Sequence, residues 1–68
     1  MKKLTNHEKG ILTACAILQE IHGQTRAAGD IIKEVKLTHA NCVDLNNRIR
    51  MNLKVIQEQE GLNLVGLD

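Results

Sequence analysis

The chain has 68 residues, with nine Lys and Arg against eight Asp and Glu for a net charge of +1, and no Phe, Tyr, Trp or Pro. A chain this short makes one domain, residues 1–68, and buries only about 60% of its unfolded surface, so its stability is expected to be marginal. Near-neutral charge excludes a general electrostatic pull toward nucleic acid and leaves any DNA affinity to local placement. Without aromatic rings there is no platform for stacking unpaired bases, and any protein interface must rest on Leu, Ile, Val and Met.

Two cysteines, Cys15 and Cys42, are too few for a disulfide-rich secreted scaffold. Met1-Lys2-Lys3 leads into a single Leu4 and then polar residues, which is not the pattern of a secretory leader. The longest apolar stretch, Ala14 to Leu18, is far too short to span a bilayer. These features predict a cytoplasmic chain with no membrane association. Small domains commonly gain stability from a partner subunit, and a homodimer is the expected source here.

In chain order, Thr5-Asn6-His7-Glu8 fits a capping box that opens a helix. Ile11, Ala14, Cys15, Leu18 and Ile21 recur at helical spacing as far as His22, with Leu12, Ala16 and Ile17 widening the stripe, and Gly23 is a natural stop. A second, shorter helix is predicted from Thr25 or Arg26. Ala28, Ile31, Ile32 and Val35 lie on one face, with Arg26, Lys33, Glu34 and Lys36 largely outside it. Lys36-Leu37 reads as a tight connection, with Thr38 as N-cap of a third helix.

Cys42, Leu45, Ile49, Leu53 and Ile56 keep helical spacing up to Gly61. The third segment is therefore either one long helix or two, broken at Asn46-Asn47, where both side chains compete for backbone hydrogen bonds. Residues 62–68 read as an extended tail. Met51 and Val55 point off the stripe in either case. They form a dimer seam or other protein interface, or else the tail folds back over them. The expected fold is all-α: three to four short helices in a compact bundle.

Ile31 and Val35, then Leu37, then Cys42 and Leu45 supply the apolar positions that let one helix pack steeply across another after a short turn. On these residues the segment 26–46 resembles helix-turn-helix DNA-binding domains. The Leu37-Thr38-His39-Ala40 opening is similar to the start of recognition helices in winged-helix regulators, and Glu60-Gly61-Leu62 resembles their exit toward a wing. Lys36 stands where the family often has glycine. The resemblance implies a helix-turn-helix-like core and a dimeric transcriptional regulator bound to double-stranded DNA. Arg26, Lys33, Lys36, Arg48 and Arg50 would then hold phosphates, Thr38 a phosphate or base edge, and His39 and Asn41 bases.

The alternative is a non-enzymatic adaptor or inhibitor that binds a protein through apolar helix faces. Cys15, His22, His39 and Cys42 could count as four zinc ligands, but no Cys-x-x-Cys knuckle is present and both cysteines fall on core faces. No serine and no glycine-rich phosphate loop is present. The expectation is therefore no metal, no cofactor and no catalysis.

Overall fold

Three helices carry the architecture in a computed structural model that describes residues 3–68. Met1 and Lys2, part of the stretch read for a leader and for positive charge, lie outside the described residues. Helix α1 spans Asn6–His22 and opens as its sequence predicts. Thr5 Oγ1 accepts from the Glu8 N–H at 3.1 Å, and the Thr5 N–H donates to Glu8 Oε1 at 2.8 Å. Gly23, at φ 62°, ends it. Its N–H donates to the Gln19 carbonyl at 3.0 Å.

Helix α2, Thr25–Glu34, begins two residues later, and the Thr25 hydroxyl donates to the Gln19 side-chain oxygen across the turn. Val35 caps it, and the turn beyond holds Lys36, the one non-glycine at positive φ (61°) among the described residues. A left-handed residue with a side chain costs roughly 1–2 kcal/mol. Two bonds hold it there: the Lys36 N–H donates to the Lys33 carbonyl at 3.1 Å, and the Leu37 N–H donates to the Ile32 carbonyl at 3.0 Å. Leu37 is thereby turned into the core.

Helix α3 is Asn47–Glu60 and does not begin at Thr38. Asn46 is its N-cap, its Oδ1 accepting from the Ile49 N–H at 3.0 Å. The Asn46-Asn47 weak point is thus the start of the helix, where an Asn side chain satisfies a first-turn donor that no carbonyl can reach. Residues 38–46 are turns around an isolated parallel bridge between Asn41 and Val65. Thr38 caps no helix, and neither one long third helix nor four helices form. No second helix follows the Lys36 turn at once, so the helix-turn-helix-like core expected over 26–46 is not confirmed; the segment's backbone is bonded to the tail. The Val65 N–H donates to the Ala40 carbonyl at 3.0 Å, the Cys42 N–H to the Val65 carbonyl at 2.8 Å, and the Asn63 N–H to the Thr38 carbonyl at 2.9 Å.

The three helices pack pairwise on one another. Leu12, Cys15 and Ala16 of α1, Ala28 and Ile32 of α2, and Ile49, Leu53 and Ile56 of α3 form the core. Leu37, Cys42 and Leu45 from the irregular segment and Leu62 and Leu64 from the tail close it. At the α2–α3 crossing a Cβ on Gly29 would lie 2.5 Å from Glu60 Cγ, so any larger residue there would force the Glu60 side chain to shift. The predicted α1 stripe is displaced. Leu12 and Ala16 are buried with Cys15, whereas Ala14 and Ile21 face outward, because the two flanking helices cover the Leu12–Cys15–Ala16 side.

Candidate functional surface

The eight residues expected to meet DNA do not converge on one helix. Six of them, all but Arg26 and Lys36, are engaged in local or intramolecular contacts. Arg48 Nε donates to both carboxylate oxygens of Glu20, at 2.8 and 2.9 Å, and its Nη2 also reaches Oε1. This contact ties the start of α3 to the end of α1, and Asn52 adds a bond to the same carboxylate at 3.2 Å. The Arg48 hydrogen bonds hold the Glu20 carboxyl below its ordinary range, and Glu20 in turn raises the Arg48 guanidinium. Both groups are solvent-exposed, so the pair sets orientation more than stability.

Lys33 Nζ stands 4.0 Å from a Glu60 carboxylate oxygen. Arg50 turns along its own helix, its Nη2 donating to Asn47 Oδ1 at 2.9 Å, while its Nε is buried without a partner. Asn41 Oδ1 accepts from the Val43 N–H at 3.2 Å, and Thr38 Oγ1 meets His39 Nδ1 at 3.1 Å. Arg26 is exposed. Lys36, His39 and Asn41 do come together, lining a cavity of about 240 Å³ with Lys3 and with Glu8 of the capping box.

A second surface is apolar. Met51 is 67% exposed, Ile21 63% and Ile17 40%. Val55 is half-buried. The tail folds back, but onto residues 38–42, so Met51 stays open while Lys54 Nζ bonds Asp68 at 2.8 Å. Ile17 and Ile21 are exposed on α1 although both belong to the stripe its spacing predicts. Their helical spacing put Ile21 on the inner stripe, and only the placement of α2 and α3 decides which side of α1 faces out.

Cys15 and Cys42 are buried free thiols, and burial raises both, Cys42 to about 11. His22 and His39 lie on the exterior, and among the described residues no three of His, Cys, Asp and Glu are grouped to hold a metal ion. No helix among them is long and apolar enough to cross a membrane. Compared with protein-family models, with curated proteins and with solved structures, the chain matches none.

Proposed function

We propose that this chain is a non-enzymatic helical docking protein, an adaptor or inhibitor that works by placing its apolar α1–α3 face against another protein. The observation that carries this reading is the exposure of the large aliphatics Ile17, Ile21 and Met51, beside two cations, Arg48 and Lys33, that face carboxylates of the same chain. Burying a large aliphatic side chain is worth roughly 1.5–3 kcal/mol, and such contacts are what an interface without aromatics has to use. A phosphate-gripping surface needs unpaired cations, and Arg48 and Lys33 have carboxylate partners.

Duplex DNA is the second reading, as a dimeric regulator that binds without a recognition helix at residues 38–46. It is favoured by one observation, the gathering of Lys3, Lys36, His39 and Asn41 around a single cavity. Titration of duplex DNA at low salt, followed by fluorescence anisotropy, separates the two. Docking on protein predicts no saturable binding. Binding that weakens steeply with salt, and weakens further in Lys36→Ala, would replace the first reading with the second.

A further inference from the structure

We propose that the first partner of this face is a second copy of the chain, with two α1 helices pairing antiparallel about a two-fold axis between Ala14 and Ile17. The inference rests on the docking reading above and names the occupant of that surface.

Gly10, Ala14, Ile17 and Ile21 are all exposed, on the side of α1 opposite Leu12, Cys15 and Ala16. Their steps of four, three and four residues are those of a seam along which two helices stay in register. A two-fold axis requires that if one residue meets a second, the second also meets the first. Antiparallel about the proposed axis, Gly10 opposes Ile21 of the second copy and Ala14 opposes its Ile17. Each small residue faces a large one along the whole seam. A Cβ on Gly10 would meet nothing within 4 Å, so the surface there is open to a partner's side chain. Parallel pairing would instead stack Ile on Ile and leave a gap at Gly10.

Charge does not oppose this arrangement. The four seam residues are uncharged in a chain that is 25% charged, so two copies meet without bringing like charges together. Glu20, beside the seam, is already neutralised by Arg48. Antiparallel helices also place the positive end of one macrodipole against the negative end of the other. Met51 widens the surface, since its neighbours Arg48 and Asn52 both reach Glu20. A single face of a 17-residue helix is smaller than the roughly 20–30 residues a side of a standard interface. The dimer is therefore weak and concentration-dependent.

Sedimentation equilibrium of the whole chain from micromolar to millimolar concentration tests this. The expected result is a rise from monomer to dimer mass. Ile17→Glu and Ala14→Lys, both at exposed positions and checked for unchanged helicity by circular dichroism, should each weaken association at least tenfold. The double variant should recover much of it, because each new lysine then faces a new glutamate across the axis. Monomer at every concentration, or a dimer indifferent to both single changes, overturns the proposal. Loss in the single variants without recovery in the double overturns the antiparallel register. None of these outcomes touches the docking reading, which falls on duplex binding.

Discussion

The α1–α2 hairpin and the patch where residues 38–42 meet the tail are held in different ways. In the hairpin nearly every bond is short-range: the capping box at Thr5, the Gly23 turn, the Thr25–Gln19 contact and the Lys36 turn all join residues six or fewer apart. In the patch the middle of the chain is joined to its tail by three backbone bonds spanning more than twenty residues, such as Cys42 to Val65. Closing a loop of that length costs entropy that only the finished core repays, through Leu37, Cys42, Leu45, Leu62 and Leu64. The hairpin can begin to form on its own account. The patch is a consequence of the rest being built.

Changes in the two regions should therefore differ in kind as well as size. The largest effect is expected from Ile32→Ala, which opens a void at a fully buried core position and should cost about 2–5 kcal/mol. For a domain of this size that removes most of the folded population, read as loss of the urea transition by circular dichroism.

Gly66→Ala should cost about 1–3 kcal/mol. Gly66 sits at φ 74°, and a Cβ there would come within 2.8 Å of both Asn41 Oδ1 and the Val43 nitrogen. Amide exchange should accelerate first at Cys42 and Val65 and leave α1 protected. Uniform acceleration across both regions would show that the patch does not open separately.

A pH titration probes the patch from inside. Burial raises Cys42 from 9.0 to about 11, so the folded chain keeps a proton that the unfolded chain loses. That contribution is complete below about pH 9 and is lost as pH rises toward 11. Urea midpoints should fall over this window, and Cys42→Ala should flatten the fall relative to its own lower plateau.

The smallest effect belongs to the junction of the two regions. Lys36→Gly relieves the left-handed strain but loosens the unfolded chain, leaving a gain of about 0.5–1 kcal/mol. A loss of stability would mean that the Lys36 side chain itself holds the turn.

The same division explains what could be read before the fold was known. Thr5, Glu8 and Gly23 act within one turn of the backbone, so their roles follow from residue type and spacing alone. Of the apolar positions that resemble a helix-turn-helix, Leu37, Cys42 and Leu45 are buried, without a recognition helix, whereas Ile31 and Val35 are exposed. Burial at those spacings is shared by a helix and by a turn-rich segment pinned by a neighbour. The crowding of Asn41, Asp44, Asn46 and Asn47 was the available sign of turns, since each side chain offers the backbone an alternative partner. Asn41 and Asn46 do so here.

Local chemistry thus determined three helices' worth of apolar periodicity, the ends of α1 and α2, the all-α class and the absence of aromatic anchors. The tertiary structure alone decided that α3 starts at Asn47, that the tail pairs with residues 38–42, and that Ile17, Ile21 and Met51 remain outside. The physical reason is that a helix's period shows that it has an inner face but not its bearing. That bearing is set by which neighbours cover it, and those neighbours are assembled through contacts that no short stretch of sequence contains.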